Sequence, residues 1–234
     1  KKEFLVIAEP EHRSQLLSDI DSVWGASVGC ADDNPLELPP LRESIRQAWS
    51  TTTAVNFCAK AYPTVASGHP DNAPLQVLAG FMRNGYLHRA IREQGGAYGG
   101  GASQDASSAS FRFFSYRDPR LQETLADFDT AIDWVISTEH KPHQLEEAIL
   151  GVIASLDKPA SPEGEAKQAY FNRTFGRSLE HRAQFRKQVL SITTADLKRV
   201  AQLYLAPEKA SIGIICNKES ADSLNIKNLE IVNL

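Results

Sequence analysis

The chain has 234 residues, 42% hydrophobic and 23% charged, which is the usage of a globular domain and argues against disorder. Twenty-nine acidic and 25 basic residues give a net charge of −4, and no basic stripe supports nucleic-acid binding. No apolar run reaches the ~18 residues of a membrane span, so no membrane insertion is expected. Three scattered cysteines without a Cys-x-x-Cys pair predict inert thiols in a reducing, intracellular compartment: Cys30, Cys58 and Cys216.

The first forty residues suggest the end of one unit followed by a linker. Residues 4–8 are continuously apolar and predict a buried strand, and residues 11–24 predict a short helix. Residues 28–40 hold three prolines, a glycine and several acids, which is typical of a linker. Because the chain opens without Met and runs straight into the apolar strand, we interpret it as an excised fragment.

The next hundred residues alternate between strand and helix patterns. Residues 43–49 and 53–62 predict strands, and Asp71 with Pro74 predicts a capped helix start. Asn84-Gly85 is expected to interrupt this helix, whose second piece covers residues 86–93 and ends at Gly95-Gly96. Period-two alternation in residues 97–116 predicts an antiparallel hairpin, in whose second strand Phe111, Phe113 and Ser115 alternate with Arg112, Phe114 and Tyr116.

Helices dominate the remainder of the chain. Asp118-Pro119 is expected to start one helix, Pro142 a second and Ser161-Pro162 a third. Thr193 and Asp196 resemble a capping box that opens a fourth. Residues 211–216 and 229–232 predict closing strands. Strands, then helices, then strands indicate an α+β fold.

An internal echo suggests the domain boundaries. A pattern of an apolar strand, a turn and a short helix occurs twice in the sequence. Phe4 and Glu11 in the first copy correspond to Ile212 and Glu219 in the second, near the end of the chain. We therefore expect residues 1–25 to be the closing strand and helix of a preceding homologous domain. Residues 26–41 would be the linker and residues 42–234 the complete next copy.

The densest unusual stretch lies between Ile91 and Gly101. Five glycines in residues 95–101 predict that bare backbone is needed there, for a positive φ or a close approach. Arg92 and Tyr98 flank the Gly95-Gly96 turn, and a guanidinium with a phenol would suit a peptide carbonyl or a developing oxyanion. The alternative from the residues alone places Arg92 on a solvated helix face and Tyr98 in the core.

Other chemistries find less support in the sequence. Gly96 and Gly101 have P-loop spacing, but Ala102-Ser103 replaces the Lys that grips a phosphate. His143 and Glu147 share a helix face, yet His140 precedes Pro142 and no third ligand is apparent. Neither His-Glu-x-x-His, His-x-x-Glu-His nor Gly-x-Ser-x-Gly occurs, so no metal site is expected in this chain.

Two segments carry a family resemblance. Residues 86–100 resemble the C-terminal substrate-contacting segment of the pitrilysin-type inverzincins. Residues 113–119, followed by Glu123, Asp129 and Asp133-Trp134, are similar to the presequence protease and falcilysin branch. The resemblance implies a metallopeptidase-type (mitochondrial processing peptidase-like) α+β domain, with an antiparallel sheet covered by helices on one side. It also implies a four-domain protein whose two halves enclose a chamber.

The resemblance further implies that this chain is part of a zinc metalloendopeptidase that degrades unfolded peptides, in which the two halves have different roles. The missing N-terminal half of the same polypeptide would bind zinc, and this chain would supply no metal ligand. Arg92 would hold the substrate backbone, Tyr98 would donate to the scissile carbonyl, and Gly95 and Gly96 would contact substrate. The isolated chain is expected to be inactive, and its location to be bacterial cytoplasm or an organelle matrix. The alternative is a non-catalytic structural or peptide-binding subunit of the same fold.

Overall fold

A computed structural model describes residues 3–26 and 43–234 of the chain. The predicted linker at residues 28–40 and Cys30 lie outside these residues. The described residues divide into two compact units. The first contains residues 3–26 and 158–182, and the second contains residues 43–157 and 183–234. No helix in the described part of the chain is long and apolar enough to cross a bilayer.

The first unit buries none of its helical side chains. A 3-10 turn (Pro10–His12) leads into α1 (Arg13–Trp24), which confirms the helix predicted at residues 11–24. The buried strand predicted at residues 4–8 is wrong, because these residues pair with no strand in the described chain and Phe4 is exposed. A strand needs a partner for its backbone groups, and an apolar run cannot supply one alone.

Six strands form one mixed sheet in the order β3-β4-β2-β5-β1-β6. Their bounds are β1 (Arg46–Ser50), β2 (Asn56–Pro63), β3 (Gly99–Asp105), β4 (Ser110–Asp118), β5 (Ser211–Cys216) and β6 (Glu230–Asn233). The predicted hairpin is confirmed as the antiparallel pair β3–β4, and β2 is antiparallel to both β4 and β5. The α+β prediction is confirmed, but β1 runs parallel to β5 and β6, so the sheet is mixed. Local alternation could not reveal this, because β5 enters between β1 and β2 from the far end of the chain.

One face of the sheet is buried beneath helices and the other is open. Phe111, Phe113 and Ser115 of β4 are buried, whereas Phe114 and Tyr116 between and beyond them are largely exposed. This alternation confirms the two faces predicted for the second hairpin strand. The open face also exposes apolar side chains of neighbouring strands, namely Trp49, Phe57 and Ile215.

The helices run as predicted in most places. Their bounds are α2 (Asn72–Met82), α3 (Gln122–Ser137), α4 (Pro142–Asp157), α5 (Pro162–Thr174), α6 (Leu179–Leu190), α7 (Thr194–Tyr204) and α8 (Lys218–Asp222). Thr193 and Asp196 form the predicted capping box at the start of α7. Asp71 precedes α2 without a side-chain cap, since its carboxylate instead accepts from Arg199 Nη2 at 2.6 Å and Tyr204 Oη at 2.8 Å.

The break predicted at Asn84-Gly85 does not occur. The chain passes from α2 directly into a π-helix (Arg83–Gln94), which carries Arg92 near its end. Gly85 serves packing rather than interruption, because a Cβ there would lie 2.5 Å from Cη2 of Trp134. The turn-type pair Asn84-Gly85 inside a helix is therefore explained by a ring that packs against bare backbone.

Candidate active site

The end of the π-helix presents Arg92 to solvent. Its Nη1 lies 3.4 Å from Nε2 of His88, one turn earlier, and Nδ1 of His88 lies 3.3 Å from Oε1 of Glu93. A guanidinium can only donate, so the contact requires His88 to accept at Nε2 and carry its proton at Nδ1, facing Glu93. The three side chains thus form a polar chain on an exposed helix face.

The Gly95-Gly96 turn reverses the chain between Arg92 and Tyr98. Gly96 has φ +78°, in the left-handed region where glycine carries no Cβ penalty. Its amide donates to the Arg92 carbonyl at 3.1 Å, and the Ala97 amide donates to the Ile91 carbonyl at 3.1 Å. These bonds satisfy carbonyls at the helix end, so the turn is closed by its own backbone.

Gly95 is required for a different reason, which is the closeness of Arg120. A Cβ on Gly95 would overlap the Arg120 guanidinium and lie 2.5 Å from the Ile91 carbonyl oxygen. The Nη2 of Arg120 donates to the Ala90 carbonyl at 3.1 Å and to Oδ2 of Asp127 at 3.0 Å. A cation thereby caps the C-terminal end of the helix, where the helix dipole favours positive charge.

Arg120 is itself fixed by a buried carboxylate. Asp118 is fully buried, and its Oδ1 accepts from the Arg120 amide at 2.9 Å. Its Oδ2 accepts from Oγ1 of Thr124 at 2.8 Å. Asp118 therefore ends β4 instead of capping a helix as predicted, and α3 begins later, at Gln122. The network ties β4, α3 and the π-helix together around the turn.

Tyr98 projects outward just before β3. Its side chain is 64% exposed, while the adjacent Ala97 is buried. The Tyr98 amide donates to the Arg117 carbonyl at 3.3 Å. Its ring centroid lies 5.7 Å from that of Tyr116 and 5.6 Å from Cζ of Arg117. The reading that placed Tyr98 in the core is therefore wrong.

Sequence reasoning found some members of this site and missed others. Arg92 and Tyr98 are both exposed on the two sides of the turn, but each has its own neighbours, His88 for one and Arg117 for the other. Arg117 and Arg120 were not predicted to contribute. The only signal for them was their position directly after the hairpin, where Asp118-Pro119 was interpreted as a helix start.

The remaining candidate groups are accounted for by packing. Nε2 of His140 donates to the Val135 carbonyl at 3.0 Å, and the ring packs edge-on against Trp134, with centroids 4.5 Å apart. Burial raises the pKa of Cys58 to about 12 and also raises that of Cys216, which keeps both thiols protonated at neutral pH.

Among the residues that the structure describes, no group of zinc ligands lies beside the turn. A zinc ion needs three or four His, Cys or carboxylate ligands within reach of one point. Within residues 3–26 and 43–234 one such group is close enough, formed by Glu9, Glu11 and His12, and all three are exposed in the first unit. The described residues of this chain therefore do not fit a catalytic zinc site at Arg92 and Tyr98.

Comparison with known proteins assigns the chain to a family. A family model described as the PreP C-terminal domain matches residues 46–217, which is more than half of the chain. The chain belongs to this family. The match confirms the resemblance to the presequence protease branch of the pitrilysin-type peptidases. It covers both segments that carried the resemblance, residues 86–100 and 113–119.

Relatives of the PreP C-terminal domain are much longer than this chain. The mitochondrial presequence protease of Yarrowia lipolytica is 42% identical over 151 residues, which are 64% of this chain and 15% of that protein. The protein of the same name from Schizosaccharomyces pombe is 36% identical over 168 residues, 72% of this chain and 17% of that protein. The chain thus spans less than a fifth of the length of these relatives.

Solved structures establish the fold of this PreP C-terminal domain independently. Pitrilysin superposes on 96% of this chain and 25% of its own, with a TM-score of 0.61 and 14% identity. A peptidase M16 inactive domain from Pseudomonas fluorescens superposes on 93% of this chain and 53% of its own, with a TM-score of 0.64 and 17% identity. At such low identities the likeness concerns the fold alone, and the fold is that of the M16 peptidases.

Proposed function

We propose that this chain is the C-terminal substrate-binding and closing part of a zinc metalloendopeptidase that degrades unfolded peptides. Its relatives are presequence proteases, and their mitochondrial designation supports a mitochondrial location for this protein as well. The observation that carries the proposal is the exposure of Arg92 and Tyr98 on both sides of a turn held by buried anchors. A rigid support with two solvent-facing donors is what a substrate clamp requires.

Each side chain has a distinct role in this proposal. The contact with His88 takes one of the five N–H donors of Arg92, so further donors remain for a substrate carbonyl. The phenol of Tyr98 donates to the oxygen of the scissile carbonyl as that carbon becomes tetrahedral, which stabilises the developing negative charge. Gly95 and Gly96 carry no side chain that could obstruct a peptide at the turn.

Zinc belongs to the proposal only as a requirement on the rest of the protein. Because the described residues do not fit a zinc site at Arg92 and Tyr98, the proposal places the ion in the N-terminal half of the same polypeptide. The chain alone should then show no peptidase activity. A purified sample of residues 1–234, incubated with a fluorogenic unstructured peptide and added zinc, tests this expectation. Turnover by that sample would contradict it.

The decisive test of the site uses the full-length protein. Tyr98→Phe removes one donor to the oxyanion and should lower kcat by about 10²–10³, with KM little changed. Tyr116→Phe is the matched control, because it deletes the same hydroxyl from a neighbouring ring on the same face. Unchanged kcat in Tyr98→Phe, or an equal loss in both variants, would remove Tyr98 from the chemistry.

A second candidate is a non-catalytic structural or peptide-binding subunit of the same fold. It stays the alternative because the described residues beside Arg92 and Tyr98 do not fit a zinc site, which a non-catalytic subunit would not need. The discriminating observation is whether the remainder of the polypeptide contains His-x-x-Glu-His. If it does not, the peptide-binding role replaces the enzymatic one, and calorimetry with an unstructured peptide would measure it.

We also propose that residues 1–25 close a preceding homologous domain, that residues 26–41 are a linker, and that residues 42–234 are the next domain. The exposure of Phe4, Leu17 and Trp24 supports this, since apolar side chains of this size usually pack against a partner. Limited proteolysis of the full-length protein should cut within residues 26–41. Cleavage instead within residues 3–24 would contradict these boundaries.

A further inference from the structure

An irregularity in β4 lies directly beside Tyr98. Asn56 of β2 faces Asp118, whereas Cys58 faces Ser115, so β4 carries one more residue than β2 over this interval. The extra residue forms a β-bulge in which Tyr116 and Arg117 stand opposite Phe57. Arg117 has φ +49°, a left-handed conformation that residues other than glycine rarely adopt. Bulges of this kind re-aim a side chain and are frequent next to functional sites.

The bulge directs both ends of Arg117 at Tyr98. Its carbonyl accepts the Tyr98 amide at 3.3 Å, and its guanidinium carbon lies 5.6 Å from the centre of the Tyr98 ring. Tyr116 contacts the same ring, with the two planes tilted by 58°. The backbone and the ring of Tyr98 are therefore held by one pair of adjacent residues on a strained segment.

Among the described residues, no carboxylate competes for the guanidinium of Arg117. In the described part of the chain no acidic side chain pairs with it, whereas Arg112 on the same strand pairs with Asp105 at 3.1 Å. A cation without an anionic partner, placed over an aromatic face, is attracted by the electron-rich ring. The strained backbone of Arg117 therefore accompanies a contact between its guanidinium and the Tyr98 ring, and not an ion pair.

We propose that Arg117 is a positioning residue, which holds the Tyr98 phenol in the orientation from which it donates to the scissile carbonyl. This inference rests on the proposed function of Tyr98. The need for such support follows from exposure, because a side chain that is 64% exposed would otherwise distribute among several rotamers. A cation over the ring at an exposed site biases such an equilibrium by about two- to five-fold.

The first test compares four forms of the full-length peptidase. Arg117→Asn keeps a residue that tolerates the left-handed conformation but removes the cation, and it should lower kcat by about two- to five-fold at unchanged KM. Arg117→Lys retains the charge and should restore at least half of the lost kcat. Arg112→Asn, a matched loss of one exposed arginine from the same strand, should leave kcat unchanged. A rise in KM without a fall in kcat in Arg117→Asn would overturn the proposal, since Arg117 would then bind substrate itself.

A double-mutant cycle separates this proposal from the function it rests on. In a Tyr98→Phe background the hydroxyl is absent, so Arg117→Asn should cause no further fall in kcat. An additive fall would overturn the positioning role. If Tyr98→Phe alone lowers kcat but Arg117→Asn does not, only the positioning role fails. If Tyr98→Phe alone has no effect, the proposed function itself fails. Should Arg117→Asn fold poorly, Arg117→Gly relieves the backbone strain, lacks the cation and must show the same fall.

Discussion

Substitution of the two turn glycines by alanine should separate a steric requirement from a conformational one. A Cβ at position 95 would overlap the Arg120 guanidinium and lie 2.5 Å from the Ile91 carbonyl oxygen. The backbone oxygen is fixed and cannot move away. Because the Cβ overlaps the guanidinium, Arg120 must leave the Ala90 carbonyl that it now contacts at 3.1 Å. At position 96 the nearest heavy atom to a Cβ is Cγ of Pro119 at 3.5 Å, an ordinary contact.

The two costs can be estimated from these contacts. Gly95→Ala loses a charge-assisted hydrogen bond, about 1.5–3 kcal/mol, and adds an overpacking cost of about 1–3 kcal/mol. Reduced freedom of the unfolded chain returns about 0.4–1 kcal/mol, which leaves a net loss of about 1.5–5.6 kcal/mol. Gly96→Ala has only the left-handed penalty at φ +78°, about 1–2 kcal/mol. Gly95 is therefore expected to be the more costly position although Gly96 has the unusual dihedral.

Urea unfolding of the purified chain measures both free-energy differences. A double-mutant cycle adds the mechanism, because Gly95→Ala should cost less when Arg120 is already Ala and no guanidinium is left to displace. The reasoning would be refuted by a Gly96→Ala variant that is less stable than Gly95→Ala. It would also be refuted by full additivity of the Gly95 and Arg120 substitutions.

Two further predictions concern the helix end and the start of α2. Arg92→Ala in the full-length peptidase should raise KM about tenfold and leave kcat nearly unchanged if Arg92 grips the substrate equally throughout, with the exposed Arg89→Ala as control. A loss confined to kcat would contradict this. The Arg199 hydrogen bond lowers the pKa of Asp71 from its ordinary value of 3.8. The stabilisation of the folded state by the ionised Asp71 is therefore complete above pH 3.8 and is lost as the pH falls through the folded pKa. By urea unfolding near pH 7, Asp71→Asn should be less stable than the wild type by about 1–2 kcal/mol. This difference in the free energy of unfolding should shrink below pH 3.8, and a difference that widens in acid would contradict the prediction.

Patterns with a fixed period predicted their elements well. The alternation of Phe111 and Phe113 against Phe114 and Tyr116 correctly divided these side chains between two faces, because the strand period is two regardless of partner. The capping box at Thr193 was equally readable, since both of its bonds span three residues. In these cases the physical cause is local and lies within the sequence window that displays it.

Features that depend on distant partners were missed. Asn84-Gly85 has the composition of a helix break, but Gly85 is there to receive the ring of Trp134, which comes from α3. The role of Arg120 at the helix end was likewise invisible, because the Ala90 carbonyl it contacts lies thirty residues earlier. Residues 4–8 carried a strand pattern without a pairing partner in the described chain. Each error arose where a tertiary contact decided the meaning of a local signal.

The helix that carries Arg92 and the strand that carries Arg117 both depart from regular geometry, which a periodic sequence pattern does not predict. The helix before the turn is π-helical from Arg83 to Gln94, and β4, the second strand after the turn, contains a bulge. Each departure changes which side chains share a face, since a one-residue shift in a strand exchanges its two faces. π-helical turns and bulges cost stability and are found mainly where function retains them. Both irregularities contact the segment around one glycine turn, which is an argument for a functional site that does not depend on the identity of any single side chain.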